Sequence, residues 1–293
     1  MKKYKYIFAT GCSYTYGEGL NYITHYNKTG QWVNADDGIT SEQRDEQYRK
    51  EWRYSKLLAD KFGAQEINCA SLGTSMDRAY RLITDFILTD ERAKDSLIVW
   101  QLTYLERMEA FRNPPVGEYV AYPPIGDEFF YLKKEKKWIE AYNKYYYHPA
   151  IRIIEYMKKM MFLDFYCKSN NIGLSIFDGL LSLKGYTDSW AEWTADFVVN
   201  HDSSQSGWSP VIFDPIVETF YKKDILVPIC GETCLLDAQS NRYKKDPKVV
   251  DGAYACAERN DEGNFKDGHP GKDGMIDIAE SIYNKIVKGD IND

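Results

Sequence analysis

The sequence predicts an α/β fold with a central parallel sheet and helices on both faces. Short apolar runs alternate along the chain with segments whose apolar residues recur at helical spacing. The clearest run, Leu97–Leu102 (LIVWQL), is typical of a strand buried on both faces. Strands separated by helices favour a parallel sheet. We therefore expect a single three-layer α/β/α domain over residues 1–293, with strand order 2-1-3-4-5.

Four segments are predicted as strands because they are short, apolar and bounded by polar residues or glycine. Tyr4–Ala9 opens the chain and Ala64–Cys69 follows a helical segment. Leu97–Leu102 is the third strand and Ile172–Phe177 (IGLSIF) is the fourth. The expected order leaves the fifth strand without an assigned segment.

Four segments are predicted as helices. Tyr54–Phe62 is followed by Gly63, a common C-terminal signal. Ser75–Leu88 carries apolar residues at helical spacing, and a long helical region covers Ile151–Cys167 after a proline. Met275–Val287 is amphipathic and forms the terminal helix.

Residues 21–51 are polar and lack clear periodicity. Two other stretches do not fit the alternation of strands and helices. Residues 113–147 are rich in Pro, Tyr and Lys, and residues 184–223 are rich in Trp, Ser and Asp. Loops this long inside a domain are usually functional, so we interpret the last two as insertions over the C-terminal edge of the sheet.

Charge and hydropathy exclude several classes of partner. The net charge is −7 with both signs mixed along the chain, so neither nucleic acid nor a membrane surface is an expected partner. The N-terminus lacks the apolar core of a secretory signal, and no run of about 18 apolar residues occurs. We expect a cytoplasmic protein; packaging in a virus particle stays open, and the oligomeric state is not predicted.

The six cysteines are thinly spread, which favours reduced and mostly buried thiols. Cys230 and Cys234, with Cys256, resemble part of a zinc site, but no second paired ligand motif accompanies them. Neither a metal nor an organic cofactor is expected.

The residues best suited to catalysis lie near the two ends of the chain. Ser13 follows the first predicted strand, where parallel sheets present ligands, and Asp267-Gly268-His269 precedes the last helix. A serine hydroxyl becomes a nucleophile when a neutral histidine accepts its proton and a carboxylate orients that histidine. Ser13, His269 and Asp267 are the candidates for these three roles.

Plainer roles exist for the same residues. Ser13 could cap a helix, while Asp267 and His269 could be ordinary loop residues before a helix. Cys12 is an alternative nucleophile, ranked below Ser13 because no local basic residue favours a thiolate.

Three blocks of the sequence resemble the SGNH (GDSL-like) hydrolase superfamily. GCSYTYG resembles its first block, with Ser13 as nucleophile, and NCASLG resembles its second, in which Gly73 lends a backbone N–H to the oxyanion hole. DGHP resembles the last block, with His269 as base and Asp267 as its partner. The resemblance implies an α/β fold and a serine hydrolase in which the Ser13 N–H also stabilises the oxyanion.

The sequence departs from the family pattern at two places. Cys12 replaces the Asp before the nucleophile, and the third block has no Asn. The segment Trp100–Arg107 is similar instead to a divergent branch found among phage-encoded members. Losing one oxyanion donor lowers the rate by about 10²–10³, so either activity is weak or Gln101, Thr103 or Arg107 replaces the Asn.

The substrate is the least constrained part of the interpretation. Arg107 could contact an anionic or polar substrate, or form a salt bridge with an acidic neighbour. Trp190 and Trp193 could stack on sugar rings or pack within a lid. The leading hypothesis is a serine esterase that removes small acyl groups, such as O-acetyl groups on carbohydrate, from a small-molecule or glycan ester. The rival hypothesis is a binding or structural protein with this fold, such as a virion component.

Overall fold

A computed structural model describes residues 2–21, 45–105, 107–112, 118–122, 149–179, 183–184, 214–232 and 270–288. Six strands occur in this part of the chain: β1 Tyr6–Thr10, β2 Gln65–Asn68, β3 Ser96–Leu102, β4 Met108–Arg112, β5 Glu118–Tyr122 and β6 Gly173–Asp178. They are accompanied by a 3₁₀ helix, Glu91–Asp95, and by the α-helices α1 Ser13–Tyr16, α2 Glu46–Trp52, α3 Tyr54–Phe62, α4 Met76–Thr89, α5 Pro149–Ser169, α6 Asp214–Lys222 and α7 Lys272–Val287.

The central sheet confirms the predicted fold class. Its four strands lie in the order β2-β1-β3-β6, and every neighbouring pair is parallel. The prediction of a fifth strand is wrong for the described residues. Beyond β6, Leu226 forms only an isolated bridge to Ile176, where the Val227 N–H donates to the Ile176 carbonyl at 2.7 Å. The order is therefore 2-1-3-4, counting the parallel strands.

The four predicted helices lie close to their expected positions, and the structure adds α1, α2 and α6. α3 has the predicted bounds, and Gly63 ends it at a φ of 61°, in the left-handed region that glycine tolerates best. α2 lies in the polar stretch 21–51, where no helix is predicted. Asp45 caps this helix by accepting a hydrogen bond from the Tyr48 N–H at 2.9 Å. An aspartate can signal a helix start, but the residues that follow lack the apolar periodicity that would support the prediction of a helix.

Alternation along the strands creates one apolar core on each face of the sheet. Ile7, Ala9, Leu97 and Val99 face a core shared with α3 and α7. Phe8, Ile98, Trp100 and Leu102 belong to the opposite core, shared with α4, α5 and α6. Because both faces are covered, β3 is buried along its whole length, as its apolar sequence predicts. The layers are therefore helix, sheet and helix.

α3 and α7 run side by side in the same direction. At the start of α3, the Tyr54 hydroxyl lies 2.9 Å from Thr15 Oγ1. At the start of α7, Lys272 Nζ lies 3.2 Å from the centre of the ring of Trp52, which comes just before α3. At their far ends, the rings of Phe62 and Tyr283 are 5.0 Å apart. α7 therefore begins at the edge of the sheet where β1 delivers Ser13.

The expected insertions are described only in part. β4 and β5 form an antiparallel hairpin that the sequence did not predict, with β5 inside the first insertion, 113–147. The described residues of the second insertion, 184–223, include α6. In the described segments, no helix is both long and apolar enough to cross a membrane.

Candidate active site

Ser13 stands at the first position of α1, three residues beyond Thr10, the C-terminal end of β1. Cys12 holds the N-cap position, so Ser13 is not the capping residue of this helix. Ser13 is partly exposed, and its hydroxyl oxygen lies 3.9 Å from Sγ of the fully buried Cys12. After one turn the helix ends at Gly17, whose φ is 88°. Of the two possible nucleophiles, Ser13 is therefore the accessible one.

The side chain of Gln101 holds the loop that carries Ser13. It is completely buried at the end of β3, the strand beside β1. Its Oε1 accepts hydrogen bonds from the Cys12 N–H and the Thr15 N–H, both at 3.3 Å, and from the Thr15 hydroxyl at 2.7 Å. Its Nε2 donates to Cys12 Sγ and to the Leu102 carbonyl, both at 3.3 Å. The amide of Gln101 is thus committed to the protein on both its oxygen and its nitrogen.

Two glycines leave the space that the Gln101 side chain occupies. A Cβ atom on Gly11 would lie 2.7 Å from Gln101 Oε1 and 2.4 Å from Thr15 Oγ1. A Cβ atom on Gly179, just after β6, would lie 2.0 Å from Gln101 Nε2. These separations are far below van der Waals contact, so the amide fits only because both positions lack a side chain.

Further hydrogen bonds fix α1 to α3 and β2. The Thr15 hydroxyl donates to Gln101, so the Tyr54 hydroxyl, 2.9 Å away, donates to Thr15. Burial raises the pKa of Tyr54 far above its ordinary value, which keeps this donor protonated. Asn68 donates from Nδ2 to the Thr15 carbonyl at 2.9 Å and to Ser55 Oγ at 2.8 Å. Asn68 therefore supports the loop.

The loop containing Gly73 is tied to the same site. The Thr74 hydroxyl donates to the Gly11 carbonyl at 2.6 Å, which joins this loop to the residues just before Ser13. Gly73 itself is exposed, and its φ of 66° lies in the left-handed region. Its N–H makes no hydrogen bond to another described group. The Gly73 N–H thus keeps its capacity to donate.

Thr103 and Arg107 follow β3 at that same edge. Thr103 is buried, and its Oγ1 accepts a hydrogen bond from Arg107 Nη1 at 3.0 Å. The hydroxyl hydrogen of Thr103 therefore keeps its capacity to donate, whereas the amide of Gln101 is already committed. The Arg107 guanidinium also lies over the Tyr104 ring, 4.9 Å from its centre.

An ion-pair cluster lies next to this segment, between α4 and α5. Arg152 Nη2 donates to Asp77 Oδ2 and to the Tyr156 hydroxyl, both at 2.7 Å, and Lys159 Nζ lies 3.3 Å from Asp77 Oδ1. Burial alone would raise the pKa of Asp77, but Arg152, Tyr156 and Lys159 together hold it below the ordinary value. Arg152 also reaches the Arg107 carbonyl at 3.5 Å.

Several predicted site residues lie outside the described part of the chain. These are Asp267 and His269, the proposed partners of Ser13, and the two tryptophans, Trp190 and Trp193. Cys234 and Cys256 are also outside it. Among the residues that the structure does describe, no group of three or more His, Cys, Asp or Glu side chains is arranged to hold a metal ion.

Sequence reasoning missed the residues that shape the Ser13 loop. Thr15, Thr74 and Gly179 each make or permit a contact described above, yet none is predicted from the sequence. The sequence offers only weak signals, because Thr15 comes two residues after Ser13 and Gly179 comes two residues after the predicted fourth strand. Neither signal distinguishes these residues from ordinary turn residues without the three-dimensional pairing.

The described residues thus define an α/β protein with a serine-bearing loop at the C-terminal edge of a parallel sheet. No known family model matches the chain, and no curated protein matches it.

Proposed function

We propose that the protein is a serine hydrolase that cleaves small acyl esters and belongs to a divergent branch of the SGNH superfamily. The observation that carries this proposal is the support of Ser13. A partly exposed serine follows the first strand, on a loop held by the fully buried Gln101. Catalytic nucleophiles need such fixed positions, because small displacements of the attacking atom lower the rate steeply.

The direction of α7 supports His269 and Asp267 as the partners of Ser13. Lys272 begins that helix beside Trp52, at the edge of the sheet that carries Ser13. His269 precedes Lys272 by only three residues, a span of at most about 11 Å in an extended chain. A stretch of this length allows His269 and, two residues earlier, Asp267 to reach that edge.

In the proposed mechanism, His269 accepts the Ser13 proton while Oγ attacks the ester carbonyl. Asp267 fixes the histidine tautomer and stabilises the imidazolium. The tetrahedral intermediate collapses, the bond to the alcohol oxygen breaks, and protonated His269 donates its proton to that oxygen. A water molecule, deprotonated by His269, then attacks the acyl-enzyme and releases the acid and free Ser13.

The oxyanion would be stabilised by the N–H groups of Ser13 and Gly73, with Thr103 as the third donor. The uncommitted Gly73 N–H and the donating capacity of the Thr103 hydroxyl support these assignments. Gln101 is the weaker candidate for the third position, because its Nε2 already donates to two acceptors. Each preorganised donor contributes about 2.7–4 kcal/mol to transition-state stabilisation.

The proposed substrates are O-acetyl and other small acyl esters, with carbohydrate as the carrier and Trp190 and Trp193 as stacking residues. The proposal involves no metal or organic cofactor, nucleic acid or membrane. Release of acetate from a panel of acetylated sugars tests the carrier. Cleavage of aryl acetates without any release from the sugars would reject carbohydrate while leaving the hydrolase proposal intact.

The first test is covalent labelling with a fluorophosphonate, which reacts with activated serines. We expect the wild type to be labelled and to hydrolyse aryl acetates, and Ser13→Ala and His269→Ala to lose both activities by at least about 10³-fold. Ser169→Ala, at the exposed end of α5, is the matched control and should behave as the wild type. A folded wild type that is neither labelled nor active would overturn the proposal.

One observation favours a second candidate, a protein that binds a ligand or partner without turnover. The side-chain amide of Gln101, near the end of the third strand, is buried in loop contacts, so it does not substitute directly for the Asn of the SGNH pattern. Binding of intact acetylated glycans by a wild type that resists labelling would support this candidate.

A further inference from the structure

Arg107 carries a positive charge that no described carboxylate neutralises. Its Nη1 donates to Thr103, and its guanidinium lies over the Tyr104 ring. Its Nε is buried and has no hydrogen-bond partner. No ion pair joins Arg107 to a side chain that the structure describes, and Glu106, the acidic residue next to it in the sequence, lies outside the described residues. A half-buried guanidinium without an anion is unusual, because desolvating a charge is unfavourable unless it is paired.

The neighbouring ion pairs do not supply the missing negative charge. Asp77 lies between Arg152 and Lys159, at 2.7 and 3.3 Å, and Glu155 lies 3.9 Å from Arg152. Both of these carboxylates therefore pair with Arg152 or Lys159. Arg152 reaches the backbone carbonyl of Arg107, so the cluster adjoins Arg107, yet neither carboxylate forms an ion pair with it.

The topology brings Arg107 to the same edge as Ser13. β1 and β3 are paired in parallel, with Thr10 opposite Trp100. Ser13 and Thr103 each lie three residues beyond those partners, so the two loops leave neighbouring strands in the same direction. A ligand whose reacting group lies at Ser13 can therefore extend across β3 toward the Arg107 segment.

We propose that Arg107 binds a carboxylate of the substrate, so that the preferred esters are acyl groups carried on an acidic molecule such as an acidic sugar. This inference rests on the proposed esterase function. The guanidinium offers a planar set of N–H donors that suits a carboxylate, and Thr103 and Tyr104 hold it in place. The substrate would supply the anion that the described protein groups do not.

The test compares two probes of the same shape, 4-acetoxybenzoate and its neutral amide 4-acetoxybenzamide. We expect the wild type to prefer the carboxylate in kcat/KM by about tenfold, the order of one charge-assisted hydrogen bond. The preference should fall at high salt. Arg107→Met should abolish it, Arg107→Lys should retain part of it, and Arg81→Met, on the exposed side of α4, should leave it unchanged.

Binding to the Ser13→Ala variant separates this inference from the proposed function. Ligand-observed NMR measures the binding of both probes without turnover. Tighter binding of the carboxylate probe than of the amide, with this preference lost when Arg107→Met is added, would support the anion site even if no ester is cleaved. Equal kcat/KM for both probes in an active wild type would overturn the inference and leave the esterase intact. Equal binding of both probes by Ser13→Ala would also overturn it. Both measurements keep Arg107, so neither depends on the folding of an Arg107 variant.

Discussion

Gln101 determines the shape of the Ser13 loop more than any other described side chain. Its Oε1 atom accepts hydrogen bonds from the Cys12 N–H, the Thr15 N–H and the Thr15 hydroxyl. Cys12 and Thr15 are both fully buried. Backbone donors in a tight turn that lacks regular pairing need such an acceptor, because a buried unpaired N–H is unfavourable. The Cys12 and Thr15 donors therefore fix the loop against β3.

Replacing Gln101 by leucine should destabilise the protein and weaken the labelling of Ser13. The side chain keeps a similar volume but removes the acceptor, so we expect the free energy of unfolding to fall by at least about 2 kcal/mol. Urea denaturation measures this change. Gln65→Leu, at an exposed position of β2, is the matched control and should change it by less than about 0.5 kcal/mol. Equal stability of the two variants would show that the amide does not hold the loop.

At the scale of single elements, the sequence predicts best where burial imposes a clear period. β3 and α3 were predicted to within one residue, because one is apolar throughout and the other ends at a left-handed glycine. α2 was missed because its start signal, Asp45, lies in a polar stretch. The β4–β5 hairpin was missed because antiparallel pairing between segments without a tight-turn signature leaves little local trace.

The candidate site is predictable from the sequence only in part. Ser13 was identified by its position after a strand, and the structure puts it at the expected edge. Its support could not be identified, because the contacts of Gln101 with Thr15 and Gly179 join residues 86 and 78 positions apart. Chain-distant contacts of this kind depend on strand pairing, and no local pattern encodes them. The roles of Asp267 and His269 stay predictions.

Asp77 connects α4 to α5, and its loss should be more harmful than the loss of an ordinary surface carboxylate. Asp77→Asn leaves Arg152 and Lys159 without their shared anion and removes a negative charge from the first turn of α4. We expect the free energy of unfolding at pH 7 to fall by about 1–3 kcal/mol. Asp85→Asn on the same helix breaks an exposed pair with Arg81 and should cost less than about 0.5 kcal/mol.

The difference between wild type and Asp77→Asn should depend on pH in a defined direction. Because the folded-state pKa of Asp77 is below its ordinary value of 3.8, its contribution is complete above that value. The contribution is lost as the pH falls through the lower, folded-state pKa. Denaturation of both variants between pH 7 and pH 2 measures this, and a difference that stays constant in acid would contradict the proposed ion pairing.

At the scale of the whole molecule, the two-sided core contains tyrosines as well as aliphatic side chains. Tyr54 lies in one core and Tyr156 in the other, and both are fully buried. Burial raises the pKa of each hydroxyl above its ordinary value of 10.0, because the phenolate would lose its hydration. Both hydroxyls therefore stay protonated in the folded protein at pH values at which the same hydroxyls are ionised in the unfolded chain.

This difference in pKa between the folded and unfolded states predicts that the free energy of unfolding decreases at alkaline pH, and that replacing a buried tyrosine makes the decrease smaller. Between the unfolded pKa near 10 and the higher folded values, the folded state binds more protons, so stability is complete below pH 10 and falls as the pH rises. Each buried tyrosine contributes a slope of up to about 1.4 kcal/mol per pH unit. Tyr54→Phe should lose about 1 kcal/mol near pH 7, from the hydrogen bond to Thr15, yet show a shallower decline above pH 10.

Urea denaturation from pH 8 to pH 11.5 would measure the decline for the wild type, Tyr54→Phe and a control, Tyr166→Phe, whose ring is partly exposed on α5. Only the buried position should change the slope, because only there does folding withhold the hydroxyl from water. Parallel declines in all three proteins would mean that Tyr54 ionises as easily folded as unfolded. Its hydroxyl could then not act as the permanent donor to Thr15 that stabilises the Ser13 loop.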